Sequence, residues 1–456
     1  MSAHITPTKS PAAGKTQPPG IRAWTVTSMV VLFATINWSD KALLGIVAQP
    51  LAREFGLTAT QIGFAGSAFF FLFSVSGAMV GLLGDRFQVR WILLILSALW
   101  GLVQFPILIS GTFTVLLLCR IALGAFEGPA TAMATTAVFQ WFTPEKRGFP
   151  SALVTSGSSF AKIFAAPALA VVVVAAGWRA GFVVMAVVSF IWCAAWLLVG
   201  KEGPFAKTRS LPGPSTVSSA EQEQPPVIKL NRWHILTSKS FIGALLATFA
   251  VYGVVSASIT WIPSYFEKGL GYSQLESGIM FGLPSVASLI FMYGSTFLTD
   301  RLGNRHGSSG RIRVITTTAF LVIGGAVLAC LPLFKEPVIV VAVLILGYGC
   351  MSVALPMMNA VISQIVPASQ LSSSMGIFLA LQNVSGLIAP GLVGVLVENA
   401  VTPLAGFSLS YQIFGAAILL GGILTFVLVN PERDAAILKE KLAAAQRLQQ
   451  DAGGAS

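Results

Sequence analysis

The chain has 456 residues, of which 55% are hydrophobic and only 10% charged, with a mean hydropathy of +0.80. Soluble domains carry about 25% charged residues, so the composition excludes a soluble globular fold and points to a polytopic membrane protein. A net charge of +11 would suggest nucleic acid in a soluble protein, but here the basic residues fall between apolar runs, and no nucleic-acid partner is expected.

Residues 1–22, rich in Pro, Thr, Ala and Gly, have no apolar core and read as a disordered cytoplasmic tail rather than a cleaved signal peptide. Apolar stretches of roughly 20 residues, enough to cross about 30 Å of hydrocarbon, follow near 24–48, 60–84, 91–111, 114–140, 148–176 and 178–200. A second series runs near 241–265, 275–299, 312–334, 337–363, 370–397 and 407–429. Interruptions are expected in the fourth, fifth and eleventh. Residues 201–240 bring Lys, Glu, Pro, Ser and Gln and read as a cytoplasmic linker between two bundles, 23–200 and 241–430, with 431–456 as a second cytoplasmic tail. The expected fold is an all-α membrane protein of twelve transmembrane helices in two pseudo-symmetric six-helix bundles.

Basic residues alternate along this series. Arg86, Arg90, Lys146, Arg147, Lys201, Lys239, Arg301, Arg305, Arg311, Arg313 and Arg433 share the side of the N-terminus, whereas the opposite loops hold Arg53, Arg179, Lys268 and Lys335. Because Lys and Arg stay in the cytoplasm, both termini are expected inside, across a plasma membrane of bacterial inner-membrane type. Cys119, Cys193, Cys330 and Cys350 lie in apolar spans without metal or pairing spacing, and His4, His234 and His306 lie outside the spans. No nucleophile–base pair or metal cluster therefore suggests an enzyme, and no cofactor is expected.

Five charges sit inside apolar runs: Asp40, Lys41, Arg120, Glu127 and Lys162. A charge at the bilayer centre costs roughly 2.5–3.5 kcal/mol on insertion scales, so it is rarely present without a partner or a task. Asp40 and Lys41 point about 100° apart around a helix and need not pair. Arg120 and Glu127, seven positions apart, share one helix face. Lys162 follows the small residues Ser156, Gly157, Ser158 and Ser159, which permit close packing. With both carboxylates ionised the five sum to +1; with both protonated they sum to +3. An anion is then favoured by protonation. Asp40 and Glu127 are the candidate proton-coupling groups, and Lys41, Arg120 and Lys162 the candidate anion ligands. The later spans carry instead Tyr252, Ser256, Trp261, Tyr348, Ser352, Asn359, Gln382 and Asn383. Taken singly these read as helix-packing polarity; Gln382 and Asn383 would suit the hydroxyls of a substrate, whereas Phe69, Phe70, Trp261 and Tyr348 would suit an aromatic acid.

The halves also repeat. Gly84-Asp85-Arg86 through Arg90 follows the second span, and Thr299-Asp300-Arg301 through Arg305 follows the eighth, both as D-R-x-x-x-R. Asp85, Arg86, Arg90, Asp300, Arg301 and Arg305 are thus candidate gating charges at a tight turn. Repeated halves about a midplane site are a transporter design. These features, with Gly81 to Arg90 as G-x-x-x-D-R-x-x-x-R, resemble the major facilitator superfamily. Asn37-Trp38-Ser39-Asp40-Lys41 resembles the N-[YW]-x-D-R motif of its anion:cation symporter group. Arg120-x6-Glu127-x-Pro129 and Asn383-x2-Gly386-x3-Pro390 are similar to further motifs of that group. The likeness covers about residues 22–430, with Lys41 where most members carry Arg; lysine lacks the bidentate fork that suits carboxylates.

The resemblance implies proton-coupled import of a small organic anion, a sugar acid or other carboxylate, by alternating access, with protons as coupling ion, the lipid bilayer as surroundings and a monomer as the working unit. The alternative, a proton-driven exporter or antiporter of small molecules, would carry a Gly-Pro-rich fifth helix, and Phe164-Ala165-Ala166-Pro167-Ala168 lacks the flanking glycines.

Overall fold

The structure is a computed structural model that describes residues 20–143, 146–206, 230–306, 309–367 and 370–453. Side chains are described for these except at 78, 80–86, 300, 303–306, 309, 372 and from 445 onward. Among the described residues, twelve helices are long and apolar enough to cross a membrane. In the first half they are α1 Ile21–Phe55, α2 Ala59–Gly77 (whose helix continues to Arg86), α3 Val89–Ile109, α4 Phe113–Phe139, α5 Gly148–Ala176 and α6 Trp178–Val199. In the second they are α7 Lys239–Gly269, α8 Gln274–Thr299, α9 Gly310–Leu333, α10 Pro337–Ile365, α11 Ser373–Glu398 and α12 Pro403–Leu428. Among the described residues there is no strand. Helices suit this composition because hydrocarbon offers no partner to an unpaired backbone group. The polar residues of α1 obey the same constraint: Thr27, Thr35 and Ser39 donate to the carbonyls of Ala23, Val31 and Thr35, one turn back.

Several spans are interrupted. The fourth breaks at Gly128-Pro129, between Phe113–Glu127 and Ala130–Phe139, and the fifth widens into a π-turn over Ala161–Ala165 just before Pro167. Proline lacks the amide proton and crowds the carbonyl four residues back, which accounts for both. The expected interruption of the eleventh span is not found. The helix runs unbroken over Leu371–Glu398 with Pro390 inside it, because neighbouring helices use the groups around the proline. The Pro390 carbonyl accepts from Trp261 Nε1 at 2.9 Å, and the Gly391 amide donates to Ser67 Oγ at 2.9 Å. Five breaks were not anticipated among the described residues: at Gln104 in α3, at the π-turn Tyr265–Gly269 after Pro263 in α7, at Phe281-Gly282 in α8, at Cys330 near the end of α9, and at Val353 in α10.

An even number of spans puts Ile21, where the first begins, and Leu428, where the last ends, on one side, here called the terminal end, opposite the far end. The halves meet where α2 packs along α11 and α1 along α7. Gly63 and Gly394 permit this approach, since a Cβ there would lie 2.6 Å from the Pro390 oxygen and 2.5 Å from the Ala59 oxygen respectively. At the far end Arg53 pairs with Glu267 at 2.5 Å, Gln49 donates to Ser264 at 3.0 Å, and the Thr60 amide donates to Glu398 at 2.8 Å. Toward the terminal end the halves are joined by Ser156 and Tyr293 at 3.2 Å, with Tyr293 and Phe297 exposed. The far end is closed and polar-locked.

Residues 1–19 and 207–229, which hold most of the expected N-terminal tail and linker, lie outside the described residues. The described end of the linker is anchored: the Gln370 amide accepts from the Leu230 amide at 3.0 Å and donates to its carbonyl at 2.7 Å. The segment expected as a second tail is a helix, α13 (Pro431–Gly453), that seats Leu438 in a cluster with Met357, Met358 and Val361. Asp434 fixes it to the first turn of α7 by accepting from the Ser240 amide at 2.8 Å.

Candidate transport site

α1 carries Asp40 and Lys41 at mid-length, and α4 carries Arg120 and Glu127. All four are sealed from solvent, at 2%, 4%, 8% and 0% exposure. Lys41 Nζ sits 2.6 Å from Glu127 Oε2 and donates to Asn37 Oδ1 at 2.5 Å. The rings of Trp38, Phe73 and Phe69 surround the same ammonium, with centroids at 4.7, 5.3 and 5.6 Å. Such cation–π contacts strengthen on desolvation.

Asp40 faces another way, as the 100° step between adjacent helical residues requires. Its Oδ1 accepts from Gln104 Nε2 at 2.6 Å, and its Oδ2 has no protein partner. It shares with Arg120 and Gln104 a small cavity of about 20 Å³, otherwise lined by apolar side chains such as Leu43, Ile107 and Phe182. That is room for about one water molecule. The Arg120 guanidinium lies 4.9 Å from the Phe69 centroid and leaves Nε unpartnered. The Phe69 ring is therefore a neighbour of both Arg120 and Lys41.

Lys162 is only half-buried and rides on the π-turn of α5, a backbone feature that is frequent at functional sites. Its Nζ donates to Tyr348 Oη, on α10 of the other half, at 3.3 Å. The Trp38 and Tyr348 centroids lie 5.7 and 5.6 Å from it. Gly282 on α8 lets that helix press against the π-turn, because a Cβ there would lie 2.7 Å from the Lys162 carbonyl oxygen.

The structure thus groups Lys41 with Glu127, Asp40 with Arg120, and Lys162 with Tyr348. Gln382 is buried on α11 with Oε1 unpartnered, and Asn383 beside it is half-buried; no described contact ties either to the cations. Trp261 is a packing residue against Phe407, and Phe70 packs on Tyr252. Of the candidate gating residues, the side chains of Asp85, Arg86, Asp300 and Arg305 lie outside the described residues, and Arg301 is exposed. Arg90 serves its own side of the molecule: its guanidinium donates to the Leu197 carbonyl at 3.0 Å and its amide to Glu202 at 2.9 Å. Gln104 was missed because a neutral amide within its apolar run carries no charge to mark it.

The Major Facilitator Superfamily profile matches residues 29–390 and 307–450. The hexuronate transporter of Bacillus subtilis (strain 168) is 25% identical over 403 residues, covering 88% of this chain and 92% of the relative. The probable galactarate/D-glucarate transporter GudP of the same organism is 25% identical over 433 residues, covering 90% and 94%. Among solved structures, a D-xylose-proton symporter superposes with a TM-score of 0.73 at 16% identity, over 90% of this chain and 99% of that one; at that identity the likeness is one of fold. Matched over most of its length and built from twelve membrane-spanning helices, the chain belongs to the Major Facilitator Superfamily, whose members are transporters rather than enzymes.

Proposed function

We propose that the protein imports a small sugar acid or related carboxylate together with protons, by alternating access in a bacterial inner membrane, as a monomer with both termini in the cytoplasm. The observation that carries this reading is the water-excluded Lys41–Glu127 pair at 2.6 Å. A proton on Glu127 cancels the charge that holds Lys41, and the positive charge so released draws an organic anion into the site. Removing that proton returns the carboxylate to the lysine and weakens the anion's hold. The proton thus supports anion binding and the ionised carboxylate opposes it, both through a single Coulomb interaction, strong where water is excluded. Asp40 beside Arg120 adds a second carboxylate of the same kind. The names of the relatives support a sugar acid as cargo, the basic loops support the orientation, and the closed far end suits a state open to the cytoplasm. No cofactor beyond the proton is needed.

The test is uptake into proteoliposomes of labelled D-glucuronate under an inward proton gradient. Wild type accumulates the label; Glu127→Gln loses gradient-driven accumulation and keeps part of the exchange of internal for external substrate. A Glu127→Gln protein that concentrates substrate as well as wild type would remove Glu127 from coupling. A proton-driven antiporter would instead be emptied of substrate by the inward gradient.

A further inference from the structure

Four of the five intramembrane charges are matched in twos within the first half. Lys41 and Glu127 form an ion pair, while Asp40 and Arg120 share the small closed cavity. Lys162 is the fifth. Among the described residues no carboxylate lies within ion-pairing distance of it, and its polar contact is the neutral Tyr348 hydroxyl across the interface. The net charge of +1 that the sequence assigns to the five as a group is therefore localised at one ammonium, half-buried, at the junction of the two halves.

We infer that the protein selects monocarboxylates over dicarboxylates, and that Lys162 and Tyr348 together form the carboxylate seat. This rests on the organic-anion reading above and narrows it. The two groups are 3.3 Å apart, so an oxygen placed between them can accept from the ammonium and from the hydroxyl at once. The donors belong to opposite halves, so the bound anion links α5 to α10 and replaces the present Lys162–Tyr348 bond with two stronger ones, since hydrogen bonds to a charged acceptor exceed neutral ones.

A second carboxylate finds no equivalent. The polar side chains that the sequence places mid-span in the second half are neutral, Gln382, Asn383 and Tyr252 among them. Lys41 is held by the ionised Glu127, and displacing that carboxylate without protonating it only exchanges one unpaired carboxylate for another. A dicarboxylate therefore either takes up a proton at Glu127 or leaves a negative charge uncompensated in a site poor in water, the arrangement proteins tolerate least, whereas a monocarboxylate on Lys162 faces neither cost. Both charge classes occur among substrates named for the relatives, one carboxylate in a hexuronate and two in galactarate or D-glucarate, so membership of the family does not decide between them.

The experiment uses the full chain, purified in detergent at pH 7.5, with D-galactonate and galactarate as calorimetric probes; these six-carbon acids differ by one carboxylate. Galactonate is expected to bind at least about 10-fold more tightly, a factor that corresponds to one uncompensated interaction of modest size. Lys162→Gln should weaken galactonate by roughly 10-fold, Lys162→Arg should retain most of the affinity, and Tyr348→Phe should cost about 3–5-fold, the loss of one hydrogen bond. Galactarate binding as tightly as galactonate, or galactonate affinity unchanged in Lys162→Gln, overturns the inference and leaves the organic-anion reading standing. If galactonate, galactarate, D-glucuronate and benzoate all fail to bind, both readings fall together. The wild-type ratio alone decides the matter if the lysine variant does not fold.

Discussion

A lysine and a glutamate that face each other at 2.6 Å with almost no exposure hold each other in place. Burying both ions is expensive, yet removing only one is worse, because the survivor has neither water nor partner; breaking such a pair costs roughly 3–5 kcal/mol. Lys41→Met is therefore expected to lower the melting temperature of the detergent-solubilised protein sharply, whereas Lys41→Met/Glu127→Gln should recover most of the loss. Scanning fluorimetry of the two singles and the double measures this, and a double variant less stable than both singles would show that the two groups are not coupled. The sequence disclosed the charges themselves, since Asp40, Lys41, Arg120, Glu127 and Lys162 interrupt runs in which a charge is costly. It did not disclose who meets whom. Helical phase gives the face of a residue, not the neighbour across the gap, so the division into Lys41–Glu127 and Asp40–Arg120 needed the packing. Gln104 was hidden for a different reason: a neutral amide carries no insertion penalty large enough to mark it.

Elements show the same division between what pattern reveals and what contact decides. Twelve spans follow from apolar run lengths, and the bends at Pro129 and Pro167 from the chemistry of proline. The straight course of α11 through Pro390 does not, because it depends on Trp261 and Ser67 from other helices. Backbone proximity is the other contact-level feature. Gly124 of α4 lies against the Phe69 carbonyl of α2, and Gly128 faces the Phe73 carbonyl one turn on, so a Cβ at either would overlap the facing chain. Small residues at such crossings let transmembrane helices pack backbone to backbone. Gly124→Val is expected to destabilise by about 1–3 kcal/mol, the usual range for overpacking, and to shift Phe69 away from Lys41 and Arg120; reduced yield of monodisperse protein would register the first effect, and unaltered yield and melting would contradict it. The docking of α13 makes a pH-dependent case. Burial alone would raise the Asp434 carboxyl, but hydrogen bonds from Arg433 and Ser240 outweigh it and hold the group below its ordinary range. A depressed carboxyl contributes stability above the unfolded-state value and loses it as pH falls through the folded-state one. Asp434→Asn should thus melt below wild type at pH 7, with the gap narrowing as pH falls through and beneath the ordinary aspartate range.

On the scale of the molecule, function requires that the two halves part at one end as they meet at the other. The far-end contacts suit a reversible closure: Arg53–Glu267, with Arg53 62% exposed, and the Glu398 carboxylate on the Thr60 amide. Exposed ion pairs contribute about 0–1 kcal/mol each. That is too little to hold a fold, but enough to tilt an equilibrium between two shapes of similar energy, since about 1 kcal/mol changes a population ratio roughly fivefold. The close contact of Gly63 and Gly394 with the facing backbone supplies the fit, and the carboxylates supply the bias. Glu267→Gln/Glu398→Gln is therefore expected to favour the state open at the far end without unfolding the protein. Thr260 reports on it, being buried in this closed interface with its side chain facing Gly66. In a background where Cys119, Cys193, Cys330 and Cys350 are replaced, Thr260→Cys should react slowly with a bulky maleimide, and several-fold faster once both carboxylates are neutralised. Equal labelling rates at equal melting temperature would mean that apolar packing alone keeps this end shut, and that the charges at the rim follow the closure rather than set it.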